Sequence, residues 1–294
     1  MALIGLGVVL FSCSHSLPPD PPSRAVLLPQ ERGIRYQSYT LPSSLVHTLL
    51  IPAQSRFVVT AALSEQLDNL ENFAQKHRAV AVLNGGFFDP QNKKSTSYVF
   101  LQGKLVADPR LNSRLMNNPD NAPYLDKILN RTEFRRYLCR ETVIYGIALH
   151  REPPPASCRL VDALGGGPRL LPTLTSHQEG FLDYSNGKII RDALGSSQPN
   201  ARTAIGITRD RSIVWVMVEQ LPKAPTTSGM SFQALAAFMK TLGVEQAMNL
   251  DGGSSSSLYY NGKTFYGKVN KQGNRVRRPV KSVLLVQDKL SNSK

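Results

Sequence analysis

The sequence lacks the features that mark several common protein classes. Beyond the first dozen positions it has no stretch of about 18 or more apolar residues, so the body of the chain contains no candidate transmembrane helix. It has no G-x-S-x-G segment, and none of its 5 histidines stands in a triad or a metal-ligand spacing. It also has no helix-turn-helix, zinc-finger or RNA-binding signature, and we expect no nucleic-acid partner.

Cysteine is scarce as well, with 3 residues in the chain. Cys13 follows the short apolar run Ala2 to Phe11 and a small residue, Ser12, an arrangement that resembles a bacterial lipobox. We therefore expect residues 1–16 to be a signal peptide and Cys13 to carry a lipid. The alternative is a plain signal peptide in which this cysteine is incidental.

The other two cysteines, Cys139 and Cys158, form an even pair. An oxidising compartment could bridge them, or they could remain two buried thiols, because sequence alone gives no distance between them. Together with the signal segment, the pair favours an exported protein that is either a membrane-anchored lipoprotein or secreted.

Proline divides the chain into a spacer and a globular part. Residues 17–32 contain four closely spaced prolines, from Pro18 to Pro22, and are expected to form a stiff spacer. Residues 33–294 have the length and apolar content of one domain able to bury a full core. The sequence says nothing of oligomeric state.

Charge is unbalanced, with 35 Lys+Arg against 21 Asp+Glu and a formal net charge of +14. Much of the excess lies in Arg131 to Arg140 and in Lys263 to Lys281. Such surfaces attract polyanions, and an exported protein meets phosphate-bearing envelope polymers and anionic lipid head groups. A solvated basic face without a partner is the alternative.

Short strand-length runs outnumber helical patterns, which predicts an α+β fold with a mixed, mostly antiparallel β-sheet core and flanking helices. The clearest helix runs from Ser231 to Leu242, with Gly243 to end it. Ser64 is expected to cap a second helix, and Ala122 to Leu138 reads as a polar segment that could be helical.

Three segments have the same pattern: at the end of an apolar strand, polar residues stand next to glycines or other small residues. They are Asn84-Gly85-Gly86, Arg202-Thr203 and Asp251-Gly252-Gly253. Glycines let a ligand approach the backbone, a guanidinium suits phosphate oxygens, and a carboxylate can act as nucleophile, base or metal ligand. Each segment alone could equally be a turn or a surface ion pair.

Taken in order, these segments resemble the phosphodiester glycosidase family. Members of that family show Asn-Gly-x-Phe-Phe, Gly-Pro followed by Leu, Pro-Arg-Thr-Ala-Ile-Gly and Asn-Leu-Asp-Gly-Gly-x-Ser segments. The chain matches them at Asn84–Phe88, Gly167-Pro168 with Leu170, Arg202–Gly206 and Asn249–Ser255. Ala201 replaces the expected proline, and Glu219-Gln220 stands where Asp-Gly is frequent.

The resemblance implies hydrolysis of a sugar 1-phosphodiester in envelope or extracellular glycans. Asp251 would attack the anomeric carbon or activate water, and Glu219 would be either a second catalytic carboxylate or a spectator. Arg202, with Thr203 and the amides around the glycine pairs, would bind the phosphoryl group, while Asn84 would fix a sugar hydroxyl. The residues assigned to substrate binding are Asn84, Gly85, Gly86, Thr203, Asn249, Gly252, Gly253 and Ser254.

Two other functions are compatible with the same residues. The pocket could bind a glycan or phosphopolymer without cleaving it. Alternatively, a metal-assisted phosphodiesterase could cut the phosphorus side of the ester, with a divalent metal held by Asp251 and Asp89. No cofactor is certain from the sequence.

Overall fold

A computed structural model describes Met1 and residues 33–292. The predicted signal peptide, Cys13 and the proline-rich spacer lie outside the described residues. Residues 33–292 belong to one compact unit. In this part of the chain no helix is long and apolar enough to cross a membrane.

The described part of the chain is built mainly of strands. Its strands are β1 Arg35–Leu41, β2 Ser44–Ile51, β3 Phe57–Asp68, β4 Ala79–Asn84, β5 Val99–Leu101, β6 Lys104–Ala107, β7 Thr132–Cys139, β8 Thr142–Leu149, β9 Cys158–Gly165, β10 Arg169–Leu171, β11 Leu182–Ser185, β12 Lys188–Asp192, β13 Arg202–Thr208, β14 Ile213–Glu219, β15 Val244–Asn249, β16 Ser257–Tyr260, β17 Lys263–Tyr266 and β18 Val280–Asp288. Its α-helices are α1 Leu70–His77, α2 Ser113–Met116, α3 Leu125–Ile128 and α4 Phe232–Thr241.

The strands form three larger sheets and one separate hairpin, β11-β12. The first sheet has the order β1-β2-β14-β13-β15-β10, the second β17-β16-β4-β18-β3 and the third β6-β5-β9-β7-β8. Every strand pair among the described residues is antiparallel. Many of the pairs join strands far apart in sequence, such as β4 with β16 and β18.

One apolar core lies between the three sheets. Trp215 of the first sheet, Leu284 of the second and Leu164 of the third are all fully buried within it. The outer face of the first sheet is covered by α4, and the outer face of the second is covered by α1, whose Phe73 is buried. This layering follows from strands that are apolar on both faces.

The fold is predominantly β, with 15% helix and 46% strand, so the expected antiparallel core is present but the flanking helices are minor. The helix at α4 is confirmed: the Ser231 hydroxyl accepts a hydrogen bond from the Ala234 amide, and Gly243 follows with φ of 75°. A serine cap at the start of a helix and a glycine after its end are both common.

Two of the expected helices are confirmed only in part: α1 starts later than expected, and the segment from Ala122 to Leu138 is α-helical only at Leu125–Ile128. Ser64 lies inside β3, because pairing with β18 extends that strand to Asp68, and α1 begins only after Asn69. Most of the second half of the segment from Ala122 to Leu138 is strand β7. The arginines made this segment look polar, but they bind partners within the sheet: Arg136, for example, pairs with Asp162 on β9.

The structure joins Cys139 and Cys158 by a disulfide at the end where β7 pairs with β9. The two residues are direct partners across the strands, with a Cα–Cα distance of 4.1 Å. Strand pairing therefore supplies the distance that the sequence could not, and it leaves no unpaired thiol at these two positions.

We expect replacement of both cysteines by serine to lower the free energy of unfolding by about 3 kcal/mol, because the bridge closes a loop of 19 residues in the unfolded chain. Denaturant titration of the variant under oxidising conditions measures this. Wild-type protein treated with a reductant serves as the control and should lose the same amount. A wild type insensitive to the reductant would contradict the expectation.

Candidate active site

The three glycine-flanked segments singled out in the sequence meet at one place. β4 ends in Asn84, β13 begins at Arg202, and β15 leads into Asp251. The main chain connects them directly: the Asp251 amide donates to the Gly85 carbonyl at 2.9 Å, and the Leu250 amide donates to the Thr203 carbonyl at 2.8 Å. Pairing of β13 with β15 within the first sheet, and contact of these strands with the end of β4 in the second sheet, thus bring the three segments together.

The Asn84 side chain is the centre of this junction. It is fully buried, and its amide nitrogen donates to the Asp251 carbonyl at 2.7 Å. Its amide oxygen accepts from the Thr203 hydroxyl at 2.8 Å and from the Ser257 amide at 3.0 Å. The structure therefore gives Asn84 and Thr203 a positioning role instead of the substrate contacts expected for them.

Gly85 and Gly86 are required by close packing. A Cβ on Gly86 would lie 2.3 Å from the Gly165 carbonyl oxygen, and one on Gly85 would lie 2.7 Å from the Ser282 carbonyl oxygen. Both amides also donate within the protein, to the Ser282 carbonyl and to the Ser282 hydroxyl. The expectation that these amides bind phosphate is therefore contradicted, because neither is available to a ligand.

The fourth motif, Gly167-Pro168, joins the same junction through Asn249. The Asn249 side chain is buried and donates to the Gly167 carbonyl at 2.9 Å, and its main chain exchanges two further hydrogen bonds with Gly167 and Pro168. Asn249 therefore holds this turn in place, which corrects its assignment to substrate binding.

Arg202 is only 2% exposed and is bound inside the protein. Its guanidinium makes four hydrogen bonds of 2.7–3.0 Å to main-chain carbonyls and lies 4.3 Å from the centre of the Phe232 ring. The acceptors are the carbonyls of Leu194, Gly195, Gln198 and Met230. Arg202 thus secures the 194–198 loop, and most of its donors are bound to main-chain carbonyls, which disfavours the expected phosphate clamp.

Glu219 is also committed to the protein. The residue is 5% exposed; one carboxylate oxygen faces His47 Nε2 at 2.9 Å and the other pairs with the Arg275 guanidinium. His47 is itself buried, and its Nδ1 lies 2.7 Å from the Tyr36 hydroxyl. Glu219 therefore anchors Arg275, and the structure offers it no free oxygen for a catalytic role.

Asp251 is different, because the residue is partly exposed and its carboxylate forms no ion pair within 4.0 Å among the described residues. Burial raises the pKa of Asp251 from 3.8 to about 6, against smaller opposing effects of the Ser255 hydroxyl, the Arg278 charge and the Gly252 amide. The buried Ser255 hydroxyl approaches this carboxyl without reaching hydrogen-bond geometry. A carboxyl group with a pKa near 6 can both hold and accept a proton near neutral pH.

The cation that acts on Asp251 is Arg278, which the motif analysis did not single out. Its guanidinium donates to the Ser254 hydroxyl at 2.8 Å and lies 4.8 Å from the centre of the Phe88 ring. Lys268 donates at 3.1 Å to the side chain of Asn200, whose Nδ2 would lie 3.8 Å from a Cβ on Gly253 of the same turn. The basic run from Lys263 to Lys281 was the available signal, but spacing in the sequence could not show that it reaches Asp251.

Gly252, Gly253 and Ser254 remain on the open side of the site, and each is partly exposed. The Gly253 amide donates to the Ala201 carbonyl, so it fixes the turn and does not face a ligand. The Ser254 hydroxyl lies beside Arg278, where both can contact a bound anion. Substrate binding by Gly252 and Ser254 stays a prediction.

A divalent metal held by Asp251 and Asp89 is not supported by the geometry. Asp89 forms an ion pair with Arg114 at 2.8 Å, and its other oxygen accepts from the Gln91 amide. Among the described residues there is no group of three or more His, Cys, Asp or Glu side chains that could hold a metal ion. Both oxygens of Asp89 are therefore engaged by the protein itself.

Comparisons with known proteins place the chain with one family. A family model described as phosphodiester glycosidase matches residues 77–287. The catalytic domain of zebrafish N-acetylglucosamine-1-phosphodiester alpha-N-acetylglucosaminidase, in a form auto-inhibited by its pro-peptide, has a similar fold, with a TM-score of 0.61 and 18% identity; the match covers 87% of this chain and 82% of that one. No curated protein matches the chain.

Two further solved structures share the fold. A protein from Synechocystis has a TM-score of 0.56 at 16% identity, with 86% of this chain and 62% of that one covered. A protein from Burkholderia pseudomallei has a TM-score of 0.55 at 16% identity, with 83% and 74% covered. The chain thus spans less than two thirds of the Synechocystis protein. At these identities the likeness shows the fold alone.

We expect Arg202→Ala to lower the free energy of unfolding by about 3 kcal/mol, because four main-chain carbonyl groups would lose a donor in buried or partly buried hydrogen bonds. Arg209→Ala is the matched control: its side chain is 90% exposed beside the far end of the same strand, and it should change stability by less than about 0.5 kcal/mol. Denaturant titration of both variants tests this. An Arg202→Ala protein of full stability would return Arg202 to the list of ligand-binding candidates.

We expect Asp251→Asn to stabilise the protein at neutral pH. Since the pKa of Asp251 is about 6 in the folded protein and ordinarily 3.8, the folded state binds the proton more tightly. The contribution of this proton binding to the free energy of unfolding is present in full below about pH 4 and is lost as the pH rises through 6. By pH 7 the loss amounts to about 3 kcal/mol. Unfolding titrations at pH 4 and pH 7 should give a larger gain for the variant at pH 7. An equal gain at both would contradict the raised pKa.

Proposed function

The chain belongs to the phosphodiester glycosidase family, and on that premise we propose that it is an exported hydrolase that cleaves the bond between a sugar anomeric carbon and a phosphodiester. The observation that carries the proposal is the meeting of all four family motifs around one half-buried carboxyl group, that of Asp251, beside the Arg278 guanidinium. A carboxylate next to an anion-binding cation is what this reaction requires.

Asp251 is the catalytic carboxylate of this proposal. Both main-chain polar groups of Asp251 are fixed, its amide by the Gly85 carbonyl and its carbonyl by the Asn84 side chain. This holds the side chain in place without using its oxygens. In the ionised form Asp251 attacks the anomeric carbon or removes a proton from the attacking water, and in either case its negative charge stabilises the oxocarbenium-like transition state.

Arg278, Lys268 and the Ser254 hydroxyl form the phosphoryl site. They surround the turn that follows Asp251, and two of them are cations, so they stabilise the charge that develops on the departing phosphate. A phosphate ester is already a good leaving group, so the reaction does not need a second free carboxylic acid beside Asp251 to act as a general acid. In this proposal Arg202, the residue first expected here, acts only by holding the neighbouring loop.

Phe87 supplies an apolar surface for the sugar ring. It is partly exposed, follows Gly86 directly, and lies 5.7 Å from the Phe181 ring, centre to centre. The zebrafish relative is an N-acetylglucosaminidase, so we propose N-acetylglucosamine 1-phosphodiesters as the first substrates to test. Export is part of the proposal and is supported by the Cys139–Cys158 disulfide and by the lipobox-like segment ending in Cys13.

The test is turnover of a panel of sugar 1-phosphodiesters by the wild type, Asp251→Asn and Arg278→Gln. We expect the first variant to lose at least about 10³-fold in kcat and the second about 10²-fold, since each removes charge used in the transition state. For the wild type, kcat/KM should rise with pH to a plateau above an apparent pKa of about 6, because the ionised form of Asp251 is the active one.

Asp126→Asn is the matched control, because this carboxylate is 81% exposed and pairs only with Arg151 at the surface. It should turn over substrate at the wild-type rate. Undiminished turnover by Asp251→Asn would remove Asp251 from the mechanism. Reaction in isotopically labelled water separates the alternatives: label in the sugar supports glycosidic cleavage, label in the phosphate indicates a phosphodiesterase, and binding without product indicates a glycan-binding module.

A further inference from the structure

The segment Lys263–Lys281, here called the basic segment, contains seven Lys or Arg residues and no Asp or Glu. These residues are Lys263, Lys268, Lys271, Arg275, Arg277, Arg278 and Lys281. In the described part of the chain, Arg275 is the member of this set that lies within 4.0 Å of a carboxylate, that of Glu219. The positive charge of the basic segment is therefore largely uncompensated.

The other basic run of the chain, Arg131 to Arg140, behaves differently. Arg135 pairs with the buried Glu133, and Arg136 pairs with Asp162. Arg131 lies over the Phe181 ring at 3.7 Å and donates to a main-chain carbonyl. These arginines of the first run are therefore engaged within the fold beside the third sheet, unlike most of the basic residues of Lys263–Lys281.

The basic segment passes along the candidate active site. It contacts the turn that follows Asp251 through two hydrogen bonds, from the Gly267 amide to the Ser256 carbonyl and from Arg278 to the Ser254 hydroxyl. Lys268 also donates to Asn200, which precedes β13. Between these points the segment makes a tight loop, in which the Asn270 amide donates to the Asn274 carbonyl. The loop is fixed to the first sheet through Arg275.

Lys271 and Arg277 are exposed members of the basic segment. Lys271 lies in the tight loop, and Arg277 directly precedes Arg278. Neither has an acidic partner within the described residues, and neither belongs to the phosphoryl site proposed above. They extend the positive charge of that site outward along the surface, which raises the local concentration of an anionic chain.

We propose that the basic segment binds a sugar–phosphate polymer, with the scissile phosphodiester at Arg278 and Lys268 and the phosphates of neighbouring repeats at Lys271 and Arg277. This inference rests on the proposed function, and it identifies the substrate as a chain with several phosphodiesters. A single sugar phosphodiester would leave the exposed cations unused, whereas a polymer releases a counterion at each contact.

The aromatic rings of the same surface argue against a nucleic acid. Phe265 lies under the Lys263 ammonium at 4.8 Å, and Tyr266 lies under the Arg277 guanidinium at 5.7 Å. Single-stranded nucleic acids are held by bases stacked on open aromatic rings. Here the cations cover these two rings, so a base cannot stack on the covered faces and the surface presents charge instead.

The test compares wild type with the double variant Lys271→Gln/Arg277→Gln. The substrates are a methyl N-acetylglucosamine 1-phosphodiester and a synthetic oligomer of eight N-acetylglucosamine units joined through 1-phosphodiesters. For the wild type we expect a KM for the oligomer about tenfold below that of the single unit. The double variant should lose this preference while keeping the wild-type kcat and KM on the single unit.

Lys104→Gln/Lys240→Gln is the matched control, because both lysines are exposed and lie on other elements, β6 and α4. It removes the same net charge and should keep the oligomer preference. In a plot of log(kcat/KM) for the oligomer against log salt concentration, the slope should decrease in magnitude by about one to two in the double variant only. Each phosphate contact that is lost removes the release of about one counterion.

Binding of the oligomer by titration calorimetry gives a readout independent of turnover. Weaker binding by the double variant than by the control supports the proposal, and equal binding overturns it. Competition by duplex DNA as strong as by the oligomer, at equal phosphate concentration, also overturns it and indicates a nucleic-acid surface. Absence of turnover of both substrates by wild type counts against the proposed function, whereas turnover without oligomer preference counts against this inference alone.

Discussion

The hydrogen bonds of the Asn84 side chain are the interaction on which the site depends. One amide group binds the Asp251 carbonyl, the Thr203 hydroxyl and the Ser257 amide, so it connects the end of β4 with the start of β13 and with both sides of the turn that follows Asp251. Because the group is fully buried, loss of any of these bonds would leave a polar atom without a partner. The site is therefore coupled to the packing of two sheets.

Most polar residues of the family motifs serve this packing. Asn249 holds the Gly167-Pro168 turn, Arg202 holds the 194–198 loop, and Glu219 holds Arg275. Their side chains are buried and their hydrogen-bonding groups are largely occupied by the protein. Asp251 is the exception among the motif residues, since its main chain is fixed while its carboxyl group stays free to react. A rigid frame around one reactive group is the arrangement that catalysis favours.

The electrostatics of the site come from two different sources. Burial alone raises the pKa of Asp251 toward neutrality, and this requires only that the surrounding strands exclude water. The compensating positive charge comes from Arg278 and Lys268, on a segment outside the motif strands. Because the cations lie on a different segment from Asp251, they are near its carboxylate without forming a direct ion pair with it. Such an ion pair would occupy the carboxylate oxygens.

The sequence by itself predicted the segments that form the candidate site and many of the strands. Glycine pairs and abrupt strand ends at Asn84 and Asp251 are local signals, since a strand must stop where its backbone turns or packs against another chain segment. Tertiary structure decided the helix start after Asn69, the pairing of Cys139 with Cys158 and the burial of Arg202. It also brought Arg278 to Asp251. These outcomes depend on antiparallel pairing between strands distant in sequence, and no local pattern specifies which strands will be neighbours.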